Sequence, residues 1–207
     1  MKKGDDNIGY RRRVWYPGAT YHVMSRGVRG GQIFKEDSDY KLFMEIIKRY
    51  MDKLGFVIHS YCMMTNHFHL QLETKDVNIS VIMEKILKAY ANNFNAKYHF
   101  AGHVFQGSYK ALLIEDPIYF LETSRYIHLN PVKARMVNRP EDYEYSSYRH
   151  YVGIQSEDIL YKDRILNYFR DGNPYEYAKY VEAKMNHEEY ENRIMIGLGE
   201  DDNWLPW

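Results

Sequence analysis

Thr65-Asn66-His67-Phe68-His69-Leu70-Gln71-Leu72 alternates polar and apolar residues along its length. Successive side chains of a strand point to opposite faces. Such a strand puts His67 and His69 on one face, Phe68 and Leu70 on the other. Two imidazoles on one face can converge on a divalent metal. Further along, Tyr126-Ile127-His128-Leu129-Asn130-Pro131 sets a phenol and an amide four residues apart, on one face of a helix. Two histidines, an amide and a tyrosine suit a chemistry in which a metal polarises a phosphodiester and a phenol attacks it.

Working outward, Ala19 to Arg26 is rich in β-formers and reads as a strand. Arg26-Gly27-Val28-Arg29-Gly30-Gly31 is a glycine-rich turn. Asp37 or Ser38 is expected to cap a helix to about Leu54, with Gly55 ending it. Its apolar residues Leu42, Phe43, Ile46, Ile47, Tyr50 and Leu54 recur at helical spacing. Phe56 to Met63 and His67 to Glu73 read as two strands around a tight connection. Asn78 or Ser80 starts a second helix to about Tyr98, and Tyr109 to Ile114 is a further strand. Asp116 then caps a helix with Pro117 at its first position. That helix carries Tyr126 and is expected to end at Pro131, because the residue before a proline is pushed out of α geometry.

This order predicts an α+β, ferredoxin-like antiparallel sheet with helices packed on one face, plus a helical C-terminal extension. From about Ser156 two helices are expected, over 157–170 and 174–195, broken at Gly172-Asn173-Pro174. The expected organisation is a flexible arm over 1–10, a domain over 11–151 and an acidic extension over 152–207. Trp204 and Trp207 would anchor its end.

With 207 residues, 45% of them hydrophobic, the chain can bury a core. It has no apolar run of transmembrane length. Its start, Met1-Lys2-Lys3-Gly4-Asp5-Asp6, lacks a secretory h-region. A single cysteine, Cys62, excludes an internal disulfide framework and a multi-cysteine zinc site, and reads as a small core residue. These features predict a cytoplasmic protein. The net charge of zero hides an asymmetry. Residues 1–155 hold 22 Lys+Arg against 16 Asp+Glu, and residues 156–207 hold 6 against 12. A basic front segment suits phosphate contacts.

His67 and His69 are therefore candidate metal ligands, with Asn130 as a third through its amide oxygen. A histidine, histidine and amide set is harder than a zinc thiolate site and favours Mg²⁺ or Mn²⁺. Tyr126 is the candidate nucleophile among 21 tyrosines, singled out by its spacing to Asn130. Glu122, four residues earlier, is placed to orient it. His128 faces away and is expected to pack or to touch DNA. Arg11, Arg12, Arg13, Arg26, Arg29, Lys110 and Arg125 are candidate phosphate contacts. Trp15, Tyr16 and Tyr109 are candidates to stack on unpaired bases or to pack.

The chain resembles the histidine–hydrophobic–histidine single-tyrosine transposases (insertion-sequence-200-like), and within them the REP-associated tyrosine transposases. Beyond the two motifs, the matching residues include Pro17-Gly18-Ala19-Thr20-Tyr21-His22-Val23, Arg26-Gly27, Ile33-Phe34 and Tyr61-Cys62-Met63-Met64. They continue with Gly102-His103-Val104-Phe105-Gln106-Gly107, Tyr109-Lys110-Ala111, Ser124-Arg125 and Ser146-Ser147-Tyr148. The resemblance covers roughly 11–151. Thr65 stands where the family usually has proline, and Ser108 where it often has arginine; neither is a proposed ligand or nucleophile.

The resemblance implies cleavage and rejoining of single-stranded DNA through a 5′-phosphotyrosine. The implied substrate is a hairpin with a short flanking sequence, acted on by a monomer or a homodimer. The rivals are a non-catalytic DNA- or RNA-hairpin binder and a water-using hydrolase with a third histidine on zinc.

Overall fold

The computed structural model describes residues 14–156 and 159–183. Arg11, Arg12, Arg13, the expected arm, the part of the expected second helix that runs beyond 183, Trp204 and Trp207 lie outside the described residues. Four strands form one antiparallel sheet: β1 (Thr20–Arg26), β2 (Val57–Met63), β3 (His67–Glu73) and β4 (Lys110–Ile114), in the order β2-β3-β1-β4. Two long helices join them, α1 (Asp37–Leu54) and α2 (Ile79–Tyr98). The βαββαβ order and the central β3-β1 pair make the ferredoxin-like layout that the sequence predicts.

Alternation sorts the sheet into two faces. Tyr21, Val23, Phe68, Leu70 and Leu72 point to one side, where they join Phe43, Ile46 and Ile47 of α1 and Ile82, Met83 and Ile86 of α2 in one core. Burying each large side chain there is worth about 1.5–3 kcal/mol. His22, Met24, Arg26, His67, His69 and Gln71 belong to the opposite face by register. That face is not left to solvent. Helix α3 (Pro117–Lys133) lies over it, and a second core gathers Met24 and Cys62 of the sheet with Phe120, Tyr126 and Ile127 of α3. The sheet thus carries α1 and α2 on one face and α3 on the other, an additional layer beyond the one-face packing expected.

Helix ends follow from local chemistry. Gly55 takes the left-handed conformation (φ 67°) that ends α1 and bonds back to Met51. The α1 cap is Glu36, not Asp37 or Ser38: Glu36 and Asp39 form a capping box, each side chain accepting from the other's backbone N–H. Asn78 caps α2 through Ser80 N–H, and Asp116 caps α3 through Tyr119 N–H. Pro131 does not end α3. The helix continues to Lys133, and the N–H groups of Ala134 and Met136 bond to Asn130 O and Pro131 O. A proline this near a helix end removes a single internal bond, which the burial of Asn130 and Pro131 outweighs.

The segment after α3 differs from the two helices expected. It holds α4 (Tyr148–Tyr151), α5 (Asp163–Leu166) and α6 (Pro174–Glu182). Before α5 the chain is extended along the outer edge of β2, where Leu160 bridges Ile58 and Tyr161 N–H bonds Ile58 O. Met63 N–H bonds Tyr145 O and Ser147 N–H bonds Tyr61 O on the same edge. The unpaired backbone groups of β2 direct this stretch into strand-like cover rather than helix. Cys62 is fully buried, and burial pushes its thiol up, as a packed core residue requires.

Candidate active site

Register brings the site together. In the β1–β3 pair Met24 faces His69, His22 faces Gln71 and Arg26 faces His67. His22 is thus a diagonal neighbour of His69 on one face, within reach of a long side chain. Its Nε2 lies 3.0 Å from His69 Nδ1. His67 and His69 have ring centroids 5.0 Å apart at 89°. His67 Nδ1 lies 2.7 Å from Asn66 Oδ1. The amide oxygen accepts, so His67 carries its proton on Nδ1 and turns an Nε2 lone pair inward.

From the other side α3 delivers its own row. Tyr126, Asn130 and Lys133 are spaced by four and three residues and share one helix face. Asn130 Oδ1 lies 3.4 Å from His67 Nε2. With the His67 proton on Nδ1, both of these atoms are acceptors, and no hydrogen lies between them. His69 Nε2 is buried and has no hydrogen-bond partner among the described residues. Two facing acceptors, with an unpartnered imidazole nitrogen on the same sheet face, fit a cation. Among the described residues, no group of three His, Cys, Asp or Glu is placed to hold a metal, and the oxygen donor beside the histidine pair is the Asn130 amide. Oxygen and neutral imidazole donors suit Mg²⁺ or Mn²⁺.

The imidazoles are in the protonation state that ligation needs. Burial holds His22 down to about 3 and His67 down to about 4, with Arg26 adding to the shift at His67. Burial also keeps His69 well below its ordinary value, with His67, His22 and Lys133 reinforcing it. The Tyr126 ring sits 5.6 Å from both His69 and His22, edge-on to each. The Lys133 ammonium lies 4.8 Å from the Tyr126 ring centroid. A cation beside the phenol and the histidines suits an incoming phosphate.

The other sequence candidates divide. Arg26 and Lys110 belong to the histidine face, both half-buried, with Lys110 opposite Met24 on β4. Arg29 is exposed on the turn after β1. Arg125 is 1% exposed, its guanidinium turned to the Ala183 carbonyl and lying 3.8 Å from Glu122. This placement corrects its reading as a DNA contact. Glu122 accepts from Tyr180 O–H at 2.7 Å, so it serves α6 rather than Tyr126. His128 is fully buried between Ser147 and Tyr177, a packing role rather than a DNA contact. Tyr109 is buried with the first core, not presented to bases. Two residues escaped the sequence reading. His22 stood in a recognisable strand, but only the register shows its partner. Lys133 has helical spacing to Tyr126, a signal hidden by ending the helix at Pro131.

The arrangement defines a class: an α+β protein that sets a histidine pair on a sheet face beneath a helix bearing tyrosine and asparagine. Residues 16–130 match the family model "Transposase IS200 like". The chain belongs to the IS200-like transposase family. Its fold is similar to that of a REP-associated tyrosine transposase solved bound to a REP hairpin, at 19% identity and TM-score 0.61, covering 76% of this chain and 93% of that one. A putative transposase from Deinococcus radiodurans R1 is also similar, at 19% identity and TM-score 0.41, over 56% of this chain and 88% of that one. No curated protein matches the chain.

Proposed function

We propose that this chain is a metal-dependent single-strand DNA nickase and strand transferase of the REP-associated tyrosine type. One observation carries the reading: Tyr126 lies against His69 while Asn130 Oδ1 and His67 Nε2 face each other as two acceptors. Family membership supports it, since the match runs from residue 16 to Asn130. His67, His69 and Asn130 would hold the ion. When bound, Mg²⁺ or Mn²⁺ supplies polarisation of the scissile phosphate.

The protein's own groups do the rest. Tyr126 Oη attacks phosphorus, the bond to the 3′ oxygen breaks, and the departing oxygen takes up a proton as the phenol releases its own to solvent. A 5′-phosphotyrosine and a free 3′-OH result, and attack by a 3′-OH in the reverse sense rejoins the strand. Arg26, Lys110 and Lys133 hold phosphate oxygens, and Arg29 meets the flanking backbone. The solved REP-associated relative is bound to a REP hairpin; we extend that substrate class, hairpin-bearing single-stranded DNA, to this chain.

Covalent trapping tests the proposal. The protein is incubated with labelled single-stranded hairpin DNA with Mn²⁺, Mg²⁺ or EDTA, and run on denaturing gels beside Tyr126→Phe. A shifted band that needs the metal and vanishes in the variant is expected. Cleavage without a band means that water is the nucleophile. Hairpin binding with neither cleavage nor band means a binding protein.

A further inference from the structure

Helix α6 lies against the back of α3. Its Tyr177 and Val181 are fully buried. The Tyr177 hydroxyl is 2.7 Å from His128 Nδ1 and 3.2 Å from Ser124 Oγ. Beyond His128 the chain of contacts continues to Ser147, whose hydroxyl accepts from Tyr61 N–H of β2 at 2.8 Å. Tyr180 O–H donates to Glu122, and Arg125 reaches the Ala183 carbonyl at the α6 terminus. The Arg125 guanidinium lies 5.3 Å from the Tyr180 ring centroid. Tyr148 O–H donates to Glu182 from α4.

The α3 residues gripped are Glu122, Ser124, Arg125 and His128. Ser124 and His128 are each two positions from Tyr126, roughly 160–200° round the helix from it. Arg125 lies about 100° from it, on its flank, and Glu122 about one turn before it. The contacts therefore fix the rotation of α3 about its own axis, and rotation decides whether the Tyr126 ring meets His69. Buried polar groups of this kind enforce one arrangement because any other leaves them unpaired.

We propose that α6 is a positioning clasp for the nucleophile helix, acting through Tyr177 and Tyr180 to present Tyr126 to the histidine pair of the same chain. The inference rests on the reading of Tyr126 as nucleophile. Tyr177 and Tyr180 are positioning residues and touch no substrate.

The test uses the full chain carrying 3-fluorotyrosine at position 126, with Tyr180→Phe, Tyr177→Phe and the double variant. Fluorine resonance of the metal-free protein reports the ring's surroundings and needs no turnover. Wild type should give one narrow line, and the double variant a shifted, broadened or second line at an unchanged fold by circular dichroism. In unlabelled protein, single-turnover adduct formation should fall about tenfold in the double variant, with hairpin affinity held within twofold. A loss of stability alone would not separate rate from affinity in this way. If the double variant does not fold, Tyr180→Phe decides by the same two readouts.

A fluorine line identical to wild type, or an adduct rate that rises, overturns the clasp. A wild type without adduct sinks the nucleophile reading instead, and the fluorine line then still decides whether α6 fixes the ring.

Discussion

At the residue scale the arrangement is decided by which nitrogen each imidazole offers. Asn66 fixes the His67 tautomer and His22 engages His69 Nδ1, so in both histidines Nδ1 is taken by a neighbour and Nε2 is the nitrogen left for a ligand. Partners of metal-ligating imidazoles typically contribute 10–100-fold to metal affinity. His22→Ala should therefore weaken Mn²⁺ binding by about that factor, measured by calorimetry on folded protein. Unchanged affinity would show that His69 needs no support. Tyr126→Phe should leave the same Mn²⁺ affinity intact while abolishing the covalent DNA adduct, a separation the two assays read directly. These residues differ in how legible they were. His67, His69, Tyr126 and Asn130 carry local spacing that names them. His22 has none, because its contact spans 47 positions and exists only when β1 pairs with β3.

At the element scale the turn after β1 sets the approach to the site. A Cβ on Gly27 would lie 1.9 Å from the Gly31 carbonyl oxygen, so no side chain fits there without moving the turn. Gly27 N–H also bonds Asn66 O, tying the turn to the residue that orients His67. Gly27→Ala should cost about 1–3 kcal/mol, as overpacking does, and lower DNA affinity together with stability, read by urea unfolding and gel shift. A stable variant with full affinity would mean that the turn adapts. Helix α3 shows how a local rule fails. Pro131 predicts a stop, yet Asn130 and Pro131 are buried and the helix runs on to Lys133. Tertiary packing outweighed the missing N–H and placed a cation over Tyr126.

At the scale of the whole molecule, four imidazoles are buried neutral: His22 at about 3, His67 at about 4, His128 at about 3 and His69 well below its ordinary value, each lowered mainly by burial. Their native-state values lie below the ordinary value near 6.5, so the unfolded chain binds more protons as pH falls. The stability they contribute is complete above about pH 6.5 and is lost progressively toward pH 3 to 4. Between pH 6.5 and 5 the loss is about 1.5 kcal/mol for each imidazole. Metal-free protein should thus melt well below its neutral-pH midpoint at pH 5, by calorimetry. A flat midpoint across that range would contradict the neutral buried state. No helix among the described residues is long and apolar enough to cross a membrane.

The sequence by itself determined the sheet's alternation, the two long helices and the βαββαβ order, and its spacing singled out four candidate residues. Each rests on a periodicity or a cap that neighbouring residues create. Only the tertiary structure decided the rest. It turned α3 onto the histidine face, set His22 beside His69 and withdrew Arg125 and Glu122 from the site to bind α6. Those outcomes depend on strand register and on which buried polar groups find partners, and both join residues that the chain holds far apart.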